Sequence, residues 1–592
     1  MNPSEEYHKR LKVRAERVEH YKKLDHLIGN ARLGVGLVFF AVVWATIGPG
    51  LISGWWVLMP IVAFVVLVAR HEHVRALGRR AKRSVLFYER GLARIEDRWI
   101  GTGDPGRAFF DETHLYAVDL DIFGKGSLFE LLSAARTRSG EETLAGWLKA
   151  PASASEIEQR QRAIDELRQN IDLREDLAVL GEDVRAAIHP DWLRRWGTAP
   201  PVFTSTEARI IAPILSFLIL ASLVNYFGFD GNGWFVVAAC SVGGAFGLHF
   251  RKRVRDVTDA VADPAKDLQI LSLLLERLER EQWQCERLRS LRAVFGTEGR
   301  SPSKEIRKLV VLIEWLNSRL NPLFAAIAPL LLWATQFAFA IEAWRLRCGP
   351  HVSAWLDAAG EFEAFCSIAA YAYEHPQDRF PEVIEDETVF DGEDLRHPLL
   401  PAAKCVPNSL TLTRDRQLLI ISGSNMSGKS TLLRTVGVNI VFALAGAPVR
   451  AKHMRLSILA LGATMRVQDS LQAGTSRFYA EIQRLRDIME LTKKRPVLFL
   501  LDEILHGTNS HDRAVGAEAV IRGLIAHGAI GLVTTHDLAL AVLADKLAPK
   551  AANFHFQDHL EDGRMVFDYR LRPGVVEKSN ALALMRAIGL EV

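Results

Sequence analysis

Long uncharged apolar runs alternate with polar segments in the first half of this chain. Leu33 to Ile47 and Leu51 to Ala69 carry no charged residue and are separated by Gly48-Pro49-Gly50. Each run approaches the roughly 20 residues a helix needs to cross a bilayer. Ser53-Gly54-Trp55-Trp56 lies by the turn, where indole rings suit a lipid–water boundary. Lys22, Lys23 and Arg32 precede the pair, and Arg70, Arg75, Arg79, Arg80, Lys82 and Arg83 follow it. Basic flanks at both outer ends hold both ends on the cytoplasmic side, which a hairpin satisfies. The pattern predicts a polar cytoplasmic helix over 1–32 and a transmembrane hairpin over 33–70.

The pattern returns. Ile210 to Phe227 is apolar, Asp230-Gly231-Asn232-Gly233 breaks it, Trp234 to Phe250 is apolar again, and Arg251-Lys252-Arg253-Val254-Arg255 follows. This predicts a second transmembrane hairpin, 209–250, with the same orientation. Buried hairpins of a soluble protein would show similar runs, but the repeated uncharged length and repeated basic flank favour the membrane. A third run, Pro322 to Ile341, contains Pro329 and Gln336 and has no hairpin partner. It reads as a buried core helix rather than a span. Between the hairpins, 84–208 is a soluble segment. Leu268, Leu271, Leu274, Leu275 and Leu278 recur at helical spacing, opening a helical connector over 251–375. From Val389 short apolar strands alternate with helices, so 389–592 reads as an α/β domain.

Composition changes this picture little. A length of 592 residues suggests three or four domains. The net charge of +3 does not by itself point to nucleic acid. Cys240, Cys285, Cys348, Cys366 and Cys405 form no CxxC pair and read as reduced packing residues, which argues against structural zinc. Residues up to Arg32 are too polar to be a secretory signal.

The chemistry concentrates in the α/β domain. Gly423-Ser424-Asn425-Met426-Ser427-Gly428-Lys429-Ser430-Thr431 fits G-x-x-x-x-G-K-[ST] at every fixed position. Glycines there let the backbone curl its N–H groups toward phosphate oxygens, Lys429 reaches the β- and γ-phosphates, and Ser430 offers its hydroxyl to Mg²⁺. Gln417 to Ile421 precedes as a strand, and a helix follows whose N-terminus favours anions. Val497 to Leu501 is a second buried strand, ending in Asp502-Glu503. Asp502 suits the Mg²⁺ shell and Glu503 a general base toward water. Gly531 to Thr535 is a third strand, ending in His536-Asp537. His536 resembles the residue that contacts the γ-phosphate in ABC-type ATPases. Gly474 to Glu481 contains Ser476 at a helix start, able to cap that helix and present N–H groups to an anion.

These motifs resemble the MutS family of DNA mismatch repair ATPases. Asn425-Met426 resembles the middle of that family's G-P-N-M-G-G-K-S-T, with Ser424 and Ser427 as departures. Asp502-Glu503-Ile504-Leu505-His506-Gly507-Thr508-Asn509-Ser510-His511-Asp512 resembles D-E-I-G-R-G-T-S-T-x-D, and Ser476, Phe478 and Glu481 fall on S-T-F-M-x-E with Arg477 replacing Thr. Arg396-His397-Pro398 and Val406-Pro407-Asn408 resemble the approach to the ATPase domain. Upstream, Asp119-Leu120-Asp121, Gly126-Ser127-Leu128, Thr137, Gly140, Leu144, Trp147-Leu148, Pro151, Glu156-Ile157 and Arg160 to Leu167 resemble the family's core domain. The matches cover roughly 84–200 and 360–580.

The resemblance implies a C-terminal α/β P-loop ATPase domain of the ABC type, preceded by a mostly α-helical core and lever region that carries the two transmembrane hairpins. It implies ATP and Mg²⁺ as cofactors. It also implies a homodimer through the ATPase domains, with Ser476, Glu481, Thr508 and Asp512 in the dimer-crossing signature, and DNA as partner. The hairpins add a lipid bilayer and a multi-pass place in a bacterial-type inner or plasma membrane, soluble domains cytoplasmic. They are foreign to the family's soluble repair proteins, and no mismatch-reading N-terminal domain is recognised; Phe87-Tyr88-Glu89 has the spelling of a mismatch wedge but sits on a basic helix. Two functions follow as expectations: a membrane-anchored ATPase coupled to DNA binding, with a basic groove from Arg287, Arg289, Arg292, Arg300, Lys304, Arg307 and Lys308, or an ATP-driven mechanical membrane protein acting without DNA.

Overall fold

A computed structural model describes residues 2–48, 51–180, 190–203, 207–261, 265–296, 301–424, 426–465, 477–505, 510–536, 538–561 and 564–576. They form a mostly helical body and two mixed sheets.

Helix α1, Pro3–Ile47, is a single element of 45 residues. The Asn2 side chain accepts from Ser4 N, and Glu5 and Glu6 lie in the first turn, where the helix dipole favours negative charge. The polar and apolar halves expected on either side of residue 32 are thus one unbroken helix, because a change of polarity does not interrupt backbone hydrogen bonding. A 3-10 turn leads into α2, Leu58–Ile95, which packs back along α1. The polar ends of this pair dock on the body. Tyr7 is buried among Phe87, Tyr88 and Tyr373. Arg14 holds Glu175 through two bonds of 2.7 and 2.9 Å. Phe87 and Tyr88 are therefore packing residues of this joint.

Five short helices follow: α3, Leu128–Leu132; α4, Arg138–Lys149; α5, Ala154–Arg168; α6, Ile171–Val179; and α7, Pro190–Thr198. Side chains of Ser127, Thr137, Ser153 and Asn170 cap the first four, satisfying N–H groups that a helix start leaves open. Helices α8, Glu207–Gly228, and α9, Gly233–Ala260, pair as the second apolar hairpin. Among the described residues four helices, Pro3–Ile47, Gly54–Ile95, Glu207–Gly228 and Gly233–Ala260, are long and apolar enough to cross a membrane.

Helices α10, Ala265–Glu279; α11, Glu286–Val294; and α12, Pro302–Asn317, lead to a short α13, Pro322–Ala325, and then to α14, Trp333–Glu374. The single buried helix expected over Pro322–Ile341 is corrected here. The chain turns through 326–332, Leu332 takes a left-handed φ of 47°, and Ile327 and Leu330 are exposed. Proline at 329 removes a helical donor and crowds the preceding turn. Helix α14 is the spine of the body, packed by α4, α5, α7, α9 and α12. Its buried Arg345 pairs with Glu342 at 2.6 Å and donates to the carbonyls of Trp196, Ala199 and Pro200, closing the end of α7.

Beyond α14, strands β1, Glu382–Ile384; β2, Phe390–Leu395; and β3, Asn408–Leu412, precede β4, Leu418–Ser422, and α15, Lys429–Ala445. Next come β5, His453–Ser457; β6, Ala460–Thr464; α16, Arg477–Thr492; β7, Val497–Asp502; α17, Ser510–Ala526; β8, Ile530–Thr535; α18, Leu538–Lys546; β9, Ala551–Glu561; and β10, Arg564–Pro573. One sheet has the order β1-β5-β2-β3 and the other β10-β9-β4-β8-β7-β6. Strands β9, β4, β8, β7 and β6 run parallel. Continuous apolar runs in β4, β7 and β8 are buried, as strands covered on both faces require.

Candidate functional site

Strand order brings the three motif loops together. Strand β8 lies between β4 and β7, with Ser422 opposite Thr535 and Asp502 opposite Thr534. The segments leaving β4, β7 and β8 therefore emerge side by side at the carboxyl ends of parallel strands, where open α/β sheets bind ligands. Gly428, just before α15, has φ of 104°, a conformation suited to glycine. A Cβ there would also stand 3.1 Å from Cδ1 of Tyr569.

Lys429 opens α15 and is buried; its Nζ donates to the carbonyls of Gly423 at 2.8 Å and Ser424 at 2.9 Å. Glu503 Oε1 lies 3.9 Å from Lys429 Nζ and 3.3 Å from His536 Nδ1. Burial lowers the Lys429 pKa from its ordinary value, and the Glu503 and Asp502 carboxylates oppose that shift. Thr534 donates its hydroxyl to Asp502 Oδ1, and Thr534 Oγ1 in turn accepts from Glu503 N at 3.2 Å. One residue of β8 thus holds the Asp502 carboxylate and the backbone of Glu503 as it leaves β7. Sequence reading missed it, since only strand register places Thr534 there. Glu503 itself has a positive φ of 48° and Leu505 one of 58°, so the backbone kinks as it leaves the strand.

A cavity of about 920 Å³ opens here, lined by Gly428, Lys429, Ser430, Thr431, Asp502 and Glu503 on one side and by Val406, Asn408, Phe556 and Tyr569 on the other. Asn408 pins this far wall, donating to Tyr569 O at 3.0 Å and accepting from Leu571 N at 2.7 Å. The buried hydroxyls of Ser424 and Ser427 have no hydrogen-bond partner among the described residues. Unanswered polar atoms, a buried cation, a hydroxyl at Ser430 and a carboxylate at Asp502 fit a polyphosphate with its metal ion. Met426 is exposed at a φ of 71°, and Gly423 would bring a Cβ within 2.8 Å of Ser427 Oγ.

Other expected site residues sit elsewhere. Glu481, read as part of the dimer signature, is buried on α16 and accepts from Leu505 N at 2.6 Å within its own chain. Asp512 is exposed in the first turn of α17. Asn425, Ser476, Gly507, Thr508 and Asp537 lie outside the described residues. Of the basic-groove candidates, Arg287 binds Glu361 at 2.6 and 2.8 Å, Arg307 pairs with Glu276, Lys308 pairs with Glu305 at 2.7 Å, and Arg300 lies outside the described residues. Carboxylates thus answer three of the seven candidates, Arg287 and Arg307 from other helices and Lys308 from its own.

Two family models match the chain: MutS domain V over residues 419–591 and MutS domain III over 115–196. The chain belongs to the MutS family. Domain V is the ATPase domain of this family, and it supplies the Lys429, Asp502 and Glu503 side of the cavity, while Val406 and Asn408 come from the segment before it. The chain is 34% identical over 234 residues to DNA mismatch repair protein MutS 2 of Halobacterium salinarum, covering 38% of this chain and 26% of that protein. It is 35% identical over 207 residues to MutS of Bacillus subtilis (34% and 23%) and 33% identical over 202 residues to endonuclease MutS2 of Thermus thermophilus (33% and 25%). It thus spans about a quarter of the length of these relatives. The MutS domain III match joins the ATPase domain through Asp119, fully buried, which accepts from Met465 N at 2.7 Å and from Arg484 of α16 at 2.6 Å.

Proposed function

We propose that this chain is a membrane-anchored MutS-like ATPase whose nucleotide cycle is coupled to DNA. The observation that carries the ATPase reading is the meeting of Lys429, Glu503, His536 and the Thr534-held Asp502 at the ends of β4, β7 and β8. The loop 423–431 acts as a P-loop: its N–H groups and Lys429 bind the phosphates of ATP, and Lys429 leaves the carbonyls of Gly423 and Ser424 to do so. Ser430 and Asp502 would hold Mg²⁺, which supplies neutralisation of phosphate charge. Glu503 takes the proton of the attacking water, and His536 orients Glu503 and meets the γ-phosphate. Two such domains face each other, with Ser476 and the Thr508–Asp512 segment of one chain completing the site of the other. The α1–α2 and α8–α9 pairs cross a bacterial-type inner or plasma membrane and leave the helical core and ATPase domain in the cytoplasm; the length and apolar surface of these helices support this.

Glu503→Gln retains bound ATP while hydrolysis falls by roughly 10²–10⁴-fold. Unchanged turnover overturns the assignment. ATPase rates of the full chain with homoduplex, mismatched and branched DNA, each at two salt concentrations, test the coupling. DNA acting through phosphate contacts gives stimulation that weakens as salt rises. A second reading, a mechanical ATPase without DNA, is favoured by one observation: the hairpin helices α1 and α2 grip Glu374, the last residue of α14 before the ATPase domain. No stimulation by any DNA selects that reading.

A further inference from the structure

The segment that breaks between α12 and α14 folds against α9 and leaves a cavity of about 500 Å³ beside the second apolar hairpin. Its walls are of three kinds. Gly243, Gly244 and Gly247 of α9 provide a floor without side chains, and Leu320, Ala328, Pro329 and Leu332 provide an apolar roof. Arg251 and Arg319 stand on the lining, and neither has a carboxylate partner among the described residues. Thr335, 6% exposed, also lines the cavity. The joint itself is fixed by polar contacts: Ser216 Oγ donates to Leu331 O at 2.7 Å, and Gln336 Nε2 donates to Ser216 Oγ at 2.9 Å.

We propose that this groove binds one anionic phospholipid of the cytoplasmic leaflet. The inference rests on the membrane reading of α8 and α9. Gly243 and Arg251 are eight positions apart, about 12 Å along a helix rising 1.5 Å per residue. That is close to half of a hydrocarbon core about 30 Å thick. The glycine floor, about 6 Å long, therefore lies in the inner part of one leaflet, and Arg251 comes at the level of its headgroups. An acyl chain lies along the glycines, the lipid phosphate sits between Arg251 and Arg319, and Thr335 donates to an ester carbonyl. Basic pockets on the cytoplasmic side of membrane helices select anionic headgroups in this manner. A zwitterionic lipid brings the same phosphate, but its own cationic headgroup competes with the two arginines for it, so a net anionic lipid is preferred.

The test uses the full chain reconstituted in nanodiscs of equimolar phosphatidylcholine and phosphatidylglycerol, with lipids retained after extraction identified by native mass spectrometry. The wild type retains phosphatidylglycerol over phosphatidylcholine by about tenfold or more, the ratio a 1.4 kcal/mol preference gives. Arg251→Ala with Arg319→Ala abolishes the preference while ATP binding persists, and Thr335→Val reduces it. Lys252→Ala with Arg255→Ala removes the same charge from the exposed face of α9 and leaves the preference intact. A wild type without preference, or equal loss in that control, overturns the groove alone. A chain washed from vesicles by alkaline carbonate overturns the membrane reading with it.

Discussion

Thr534 shows how one hydroxyl can hold a carboxylate and the backbone of the acid beside it. It is fully buried, donates to Asp502 and accepts from Glu503 N. Replacing it with Val keeps the side-chain shape and leaves the Asp502 carboxylate short of a hydrogen bond, while Glu503 N keeps the Thr534 carbonyl at 3.3 Å. A bond to a charged group contributes roughly 1.5–3 kcal/mol, so Thr534→Val lowers the ATPase rate constant about ten- to a hundredfold. Nucleotide affinity changes less, because Lys429 and the loop amides are untouched. Steady-state turnover beside direct binding of a fluorescent nucleotide separates the two; equal loss in both sinks the positioning role. At this scale the sequence told half the story. Lys429, Asp502, Glu503 and His536 were legible because phosphate chemistry fixes residue type and spacing within each loop. Thr534 and Tyr569 were not, since each reaches the site through strand register or a kink at a distant position. Glu481 could be found by spacing, but its inward orientation depends on where α16 lies against Leu505.

Elements were legible where local hydrogen bonding decides them and illegible where packing does. The strands β4, β7 and β8 followed from their apolar runs, and both hairpins from theirs. The break at 326–332 did not, because the run from Leu323 to Ala334 is uncharged and apolar and only the proline hinted at it. The docking of α4 on α14 was equally invisible. There Glu363, on α14, accepts from Arg136 N at 2.7 Å and from Thr137 N and its hydroxyl, beneath the first turn of α4. Burial pushes its pKa up to about 7 from 4.5, against those donors. Glu141, close by, is also pushed up to about 7 by burial, opposed by Arg138, with repulsion from Glu363 adding to the rise. A carboxyl whose folded pKa exceeds its unfolded value stabilises the fold below the unfolded pKa and loses that contribution as pH rises through the folded one. Glu363 therefore makes the chain less stable between pH 4.5 and about 7, by up to about 3 kcal/mol. Glu363→Gln flattens the stability profile across this window and gains relative to wild type at the upper end. Chemical denaturation at a series of pH values checks it, and parallel profiles for the two proteins refute it.

Across the whole molecule, one joint links the first apolar hairpin to the ATPase domain. Tyr7 donates to Glu374 Oε1 at 3.2 Å, and Arg94 donates to both oxygens of the same carboxylate at 2.5 Å. These residues come from α1 and α2, while Glu374 ends the spine α14. Any tilt of the hairpin is thereby transmitted to the point where the chain enters β1. Breaking a buried pair by removing one partner leaves an uncompensated charge and costs about 3–5 kcal/mol. Glu374→Ala should release the polar ends of α1 and α2 while the sheet, held by its own strands, stays closed. Gly91→Ala reaches the same joint by another route, since a Cβ there would stand 2.3 Å from Tyr7 Cε2 and force that ring out. Hydrogen exchange on the full chain reads both variants: amides of 7–14 and 84–92 lose protection, and those of Leu418–Ser422 keep theirs. Protection that persists at 7–14 in both variants would show that the hairpin is seated by Arg14 and Glu175 instead. Loss that spreads into the ATPase sheet would show that the joint is a foundation of the whole fold and not a hinge between its parts.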